Sequence, residues 1–195
     1  MKKQFIIASL LAASTSMMAM DLQYFLGAAA ERVDSNNKDT YSFSNGVNTI
    51  NGSDSYDFKD TGLLLRAGII LDKTHRISLS HVKFSKDGVD ATTITGNYDY
   101  LIPINEQVRL YAGLHAGNTK VEIDEDDFDM SGLAYGAQVG AIYDITKNVE
   151  FELGLAYTKY NVDESISGTL DEGSFSGKTE LENSTSMFAG INYKF

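Results

Sequence analysis

The chain has no cysteine and no tryptophan, a single proline (Pro103) and only three histidines in 195 residues. Without cysteine there is no disulfide framework and no lipid-modified N-terminal thiol, so an exported form must be held by packing and hydrogen bonds alone. Scarce proline beside 17 glycines fits a sheet in which most backbone N–H groups are used. Basic residues are also in short supply, 16 against 27 acids, for a net charge of −11 at pH 7. No basic patch stands out, which argues against binding the phosphate backbone of nucleic acid. Finally, no apolar run reaches the roughly 20 residues of a membrane-crossing helix. What remains is 43% hydrophobic and 22% charged, the balance of a folded chain and not of a disordered one.

The N-terminal stretch MKKQFIIASLLAASTSMMAMDLQ places Lys2 and Lys3 before an apolar run from Phe5 to Ala13, followed by small and polar residues. That is the pattern of a secretory signal peptide, with cleavage expected after Ala19. Residues 1–19 are therefore read as leader and residues 20–195 as one domain. Loss of the leader removes two basic charges and makes the mature chain still more acidic. Export leaves the periplasm, the outer membrane or the medium as destinations.

Strict alternation dominates the rest. In VEFELGLAYTKY, Val149, Phe151, Leu153, Leu155 and Tyr157 share one face, with Glu150, Glu152, Gly154 and Ala156 on the other. TGLLLRAGIILD, VRLYAGLHAG and LAYGAQVGAIYDI repeat the pattern. Eight strands are predicted, near 22–33, 61–72, 76–84, 91–102, 108–123, 131–145, 149–160 and 185–195. The third alternates least clearly. The links 72–75, 103–107 and 146–148 are tight, whereas 34–60, 124–130 and 161–184 are long and polar. Short turns at one end and long loops at the other characterise an outer-membrane barrel.

A soluble barrel also alternates, with its apolar face inside. Residue size separates the two. The apolar face is bulky and continuous, whereas the opposite face mixes charges with Gly27, Gly62, Gly68, Gly113, Gly117, Gly136, Gly140, Gly154 and Gly190. Glycine weakens a water-facing strand but suits a cramped eight-stranded lumen. The polar face is therefore assigned to the inside and the apolar face to lipid. Tyr24, Tyr100, Tyr143, Tyr193 and Phe195 fall near the short-turn ends of the apolar face, and Tyr135 and Tyr157 nearer the loop ends, as two interfacial girdles require.

The segments LAYGAQVGAIYDITKNVEFELGLAYTKY, NYDYLIPI and the terminal GINYKF resemble the small outer-membrane β-barrel family, the OmpA-type and opacity-protein-like, porin-like surface proteins. The resemblance covers essentially the whole mature chain. It implies an all-β fold: an eight-stranded antiparallel transmembrane β-barrel with short periplasmic turns and longer extracellular loops, in the bacterial outer membrane. It shows no match to the periplasmic peptidoglycan-binding domain of the larger members. By the same resemblance, Ile191, Tyr193 and Phe195 would form the signal read by the barrel-assembly machinery.

The inward parity set supplies the candidate site. Arg109, Asp144, Glu150, Glu152 and Lys194 lie toward the short-turn end, Arg66 and Gln138 nearer the middle, with Asn97 and Asp99 on the fourth strand. Buried charges must be paired, so an interior ion-pair network is expected, with Lys194 joining Glu150 or Glu152. It would close the lumen in a protein of structural or surface-interaction role (membrane integrity, adhesion or surface antigen). The alternative is a gated small-solute pore. A hydrolase is a third reading: His81 has Ser78, Ser80 and Ser85 nearby, His115 faces the lumen and His75 lies in a turn, but no nucleophile–base–acid spacing is recognisable. Asp124, Asp126, Asp127 and Asp129 supply oxygen ligands without the spacing of a calcium loop, so no metal and no cofactor is expected. The long loops read either as an adhesive surface, with Tyr41, Phe43, Tyr56, Phe58 and Phe175 as candidate anchors for an extracellular ligand, or as a hydrophilic coat. The expected partners are outer-membrane lipid, lipopolysaccharide and the assembly machinery, and the chain is taken as a monomer.

Overall fold

The computed structural model describes residues 21–45, 47–86, 88–123, 128–170 and 173–195. The leader and Asp124, Asp126 and Asp127 lie outside these residues, as does the side chain of Asp129. Eight strands follow one another: β1 (Leu22–Ser44), β2 (Thr49–Leu71), β3 (His75–Lys86), β4 (Val89–Pro103), β5 (Val108–Ile123), β6 (Phe128–Asp144), β7 (Val149–Leu170) and β8 (Gly173–Lys194). Each pairs antiparallel with its sequence neighbours, and β1 closes on β8 from Phe25↔Lys194 upward, giving a closed barrel. Closure leaves no strand edge facing lipid, where unpaired backbone groups would find no water.

The tight turns carry their own side-chain closures. At the β2–β3 turn, Thr74 N donates to Leu71 O at 3.0 Å. Asp72 and Lys73 there have φ of 49° and 60°. Two left-handed residues match the twist of a hairpin, and the usual occupants are Asn or Gly. Lys73 accepts the left-handed conformation at a cost of about 1 kcal/mol. Asn105 Oδ1 accepts from the backbone of Gln107 and Val108, both at 2.9 Å. Thr146 Oγ1 accepts from Asn148 and Val149 at 3.2 and 3.0 Å. Short polar side chains that bond their own backbone are the local reason these segments turn.

Alternation sets the two faces as expected. β3, the weakest strand by sequence, alternates most cleanly of all in burial. Its blurred pattern came from His81, an outward residue between Leu65 and Ile94, and from Ser78 and Ser80, which are buried inside. Outward Leu63, Leu79, Leu114, Val139, Leu153 and Ile191 form the exposed apolar belt. Tyr24, Tyr100, Tyr143, Tyr193 and Phe195 are exposed near the short-turn end of that belt, and Tyr135 and Tyr157 toward the other.

The long polar segments differ from expectation. Most of 34–60 and 161–184 continues the strands, so β1 and β2 reach 23 residues and β7 and β8 reach 22. A span needs only about 9–11 residues. β2 loses β3 above Leu63↔Lys83, and β7 loses β6 above Leu133↔Asn161. Above that level β2, β1, β8 and β7 stand as a four-stranded extension on one side of the barrel. These strands were hidden because Ser, Asn, Asp and Gly resemble loop composition, while paired backbones and a few inward apolar residues suffice to hold a hairpin. A bulge at Glu182 shifts the register between Asn36 and Asn37. It flips β8, so that Leu181 faces inward above it and Ser184 below it.

Glycines set the bore. A Cβ at Gly140 would meet the Tyr111 ring at 2.5 Å, and one at Gly154 would run into Phe188 and the Tyr111 hydroxyl. Gly140→Val should therefore cost about 1–3 kcal/mol by overpacking. Outward Ala141→Val should be near neutral. Urea titration of the heat-modifiable folded band in detergent gels compares the two variants; equal midpoints would contradict the tight bore.

Candidate functional site: the barrel lumen

β2, β3, β4, β6, β7 and β8 each send one long polar side chain to the same level of the lumen. Arg76 is central and 0% exposed. Its Nε donates to Asp99 Oδ2 at 2.8 Å, and its two terminal nitrogens donate to the two Glu152 carboxylate oxygens at 3.0 and 2.8 Å. Arg66 donates to Glu152 Oε1 at 2.9 Å and to Ser80 Oγ at 3.1 Å. Asn192 Nδ2 donates to Glu152 Oε2 at 2.8 Å, and Gln138 Nε2 to Asp99 Oδ1 at 2.6 Å. The Arg76 guanidinium lies 4.6 Å from the Tyr111 ring centre, and that of Arg66 lies 5.1 Å from Phe188. Two cations thus meet two carboxylates, and the aromatic faces take up the remaining cationic surface.

A second cluster lies one step nearer the short-turn end. Lys194 Nζ is 2.8 Å from Glu150 and also contacts Asp144; Arg109 pairs with Glu150 and lies 3.2 Å from Asp144. Of the two partners expected for Lys194, it meets Glu150, together with Asp144. One expectation, the placement of Glu152 toward the short-turn end, is corrected. Glu152 belongs to the mid-barrel group with Arg66, because Arg66↔Gly27 and Gly27↔Asn192 place Arg66 level with Asn192 and within reach of Glu152. The remaining residues of the expected set, Gln138 and Arg109, lie in the two groups as described.

Arg76 escaped the sequence reading. It sits one residue inside β3, beside the turn, where position alone suggests solvent. Its parity with Ser78 and Ser80 was the available signal, and its cross-strand partner Asp99 is directly opposite. Phe188, inward but awkward for a polar lumen, caps Arg66 and lies over Gly154.

Among the described residues the histidines do not assemble a catalytic group. His81 faces outward while Ser78 and Ser80 face inward, which bars those pairings, and Ser85 shares the outward face but lies four residues, roughly 13 Å, along the strand. His115 Nε2 is 3.0 Å from Thr158 Oγ1 in the lumen. His75, expected in the turn, opens β3 and stacks beside Tyr98 at 6.0 Å between ring centres. Among the described residues no group of acids and histidines is arranged to hold a metal ion. Above the ion pairs a cavity of about 50 Å³ with a mixed lining lies between Glu31, Asn97, His115 and Ser184 on its polar side and Leu64, Val82 and Phe188 on its apolar side. It has room for water and for nothing larger.

Removing one partner of a buried cluster strands the others. Glu152→Ala should lower stability by about 3–5 kcal/mol, since Arg66 and Arg76 lose their shared carboxylate. Lys194→Met should cost much less, because Arg109 still faces both Asp144 and Glu150. Urea midpoints of the folded band measure both; a Lys194→Met loss as large as that of Glu152→Ala would contradict the two-cluster description.

The comparisons with known proteins agree with this geometry. Residues 5–195 match the family model described as outer membrane protein beta-barrel domain. Neisserial surface protein A superposes with a TM-score of 0.60 at 16% identity, covering 88% of this chain and 97% of that one. OprG of Pseudomonas aeruginosa gives 0.61 at 16% identity over 89% and 95%. OprH of the same organism gives 0.53 at 22% identity over 83% and 99%. No curated protein matches the sequence. At these identities the structures speak for the fold alone. The family match spans nearly the whole chain and accords with the closed barrel, lipid-facing belt and filled lumen: this protein is a member of the outer membrane protein β-barrel domain family and resides in the bacterial outer membrane.

Proposed function

We propose that this is a closed, non-catalytic surface barrel, with a structural and surface-interaction role, whose interaction surface is the four-stranded extracellular extension. The observation that carries the closed reading is the Glu152 carboxylate bound at once by Arg66 and Arg76 across the lumen, with Arg76 fully buried. Opening that level would separate charges in a low-dielectric bore, which is costly. Outward Lys38, Asp57, Lys59, Asp163 and Lys178 make the exterior of the extension charged and solvated. Lipid and lipopolysaccharide surround the belt in this reading. The non-catalytic part is supported by the opposed faces of His81 and Ser80.

Purified protein in planar bilayers should show no steady conductance. A small-solute pore is the competing reading. It would appear as a stable wild-type conductance that Glu152→Ala alters or abolishes, and that result would overturn the closed one.

The C-terminal strand carries a further part of the proposal. Tyr193 and Phe195 rings lie 5.1 Å apart edge to face, and Phe195 N donates to Tyr24 O at 3.0 Å. Phe195 is 63% exposed on the outer surface, where assembly machinery would reach it together with Ile191 and Tyr193. Deletion of Phe195 should reduce outer-membrane insertion in cells far more than it reduces the stability of barrels refolded in detergent. Equal losses in the two assays would make Phe195 an anchor only.

A further inference from the structure

The chemistry of the lumen reverses toward the extracellular end. Below, charged groups line it. Above Phe188, buried Val33, Phe84 and Val121 face inward, with half-buried Phe58 and Leu181 beside them. They enclose a cup of about 370 Å³. Among the described residues no side chain lining it is charged, although 22% of the chain is. Many charges at this height point outward, as in the pairs Lys59–Asp34 at 2.9 Å and Lys83–Asp90 at 2.6 Å; Asp60 and Asp39 have inward parity, opposite Val33 and Thr179, but neither side chain lines the cup.

Four of the hydroxyls in the wall, those of Ser35, Thr93, Thr119 and Tyr160, are already engaged. Thr93 and Thr119 bond each other at 2.8 Å, Tyr160 and Ser184 do so at 2.9 Å, and Ser35 donates to Phe58 O at 3.3 Å. The wall therefore offers dispersion and desolvation to an apolar guest and no counter-charge to an ion. Its volume lies in the range of small-molecule sites, which are concave and mostly apolar. The inner face of the extension continues the lining outward through Tyr41, Phe43, Ile166 and Phe175, all partly exposed.

We infer that this cup is a binding site for a small, uncharged, apolar molecule, of the bulk of a bicyclic aromatic, entering from the extracellular side. Apolar inward residues in a water-filled mouth lower their free energy when such a guest displaces water. The ion-pair level lies beneath the cup. The inference needs only the cup itself, so a conducting lumen in the bilayer assay would leave it standing.

The test uses the full mature barrel, methyl-labelled, in phosphatidylcholine nanodiscs, titrated with 1-naphthol and separately with 2-naphthalenesulfonate. Saturable methyl shifts are expected at Val33, Val121, Leu181 and Met130 with naphthol, and at least tenfold weaker binding of the sulfonate. Ala91→Phe, which fills the cup from β4, should weaken naphthol at least tenfold while the folded band is kept. Three results would overturn the inference. One is the absence of saturable shifts in the cup. Another is unsaturating shifts as large at lipid-facing Leu79 and Leu153, which mean bilayer partition only. The third is equal binding of the two probes. Should Ala91→Phe fail to fold, the comparison of probes on the wild-type protein decides alone; a folded Ala91→Phe with unchanged affinity also overturns it.

Discussion

Lipid offers no hydrogen bonds to a peptide backbone, so a sheet that crosses it must pair every strand on both sides. In this protein that requirement is met by the β1–β8 seam, where Phe25↔Lys194 through Ala30↔Ala189 pair within the membrane-facing belt. Closing with only eight strands makes the bore narrow. A narrow bore explains why Gly140 and Gly154 lie under Tyr111 and Phe188, and why the polar side chains that remain must fit one another closely.

From the narrow bore follows the ion-pair arrangement. Arg76, Arg66, Asp99 and Glu152 are buried, so each must be satisfied by another protein group. Asn192 and Gln138 complete the carboxylates, and Tyr111 and Phe188 cover the guanidinium faces. Such a network offers little net stability over a well-packed apolar filling, but it holds β2, β3, β4, β6, β7 and β8 in one register, because a slip by one residue would turn Arg76 or Glu152 toward lipid.

Where lipid ends, the logic of the two faces reverses. Within the belt the outer face is apolar and the inner face polar. Above Arg32, Lys83, Lys120 and Lys159 the outer face meets water and becomes charged, and the inner face turns to Val33, Phe84 and Val121. The same alternation thus serves two solvents along one strand. This change explains how β1, β2, β7 and β8 continue as ordered hairpins in segments whose composition looks like loop, and it leaves an uncharged cup where the two regimes meet.

The sequence by itself determined the number of strands, their order, which face meets lipid, the tight turns and most of the inward charges. These follow from a period of two and from local turn chemistry, which act between near neighbours. Phe188 too is inward, as its parity with Gly190 and Asn192 requires. Only the tertiary structure decided which charges meet. Arg76 reaches Glu152, which lies 76 positions away, through barrel closure and strand stagger, and of the two acids open to Lys194 the same stagger selects Glu150, with Asp144 beside it. Parity places a side chain on a face, but its height in the lumen depends on the register of all the strands between, and that is a property of the closed sheet.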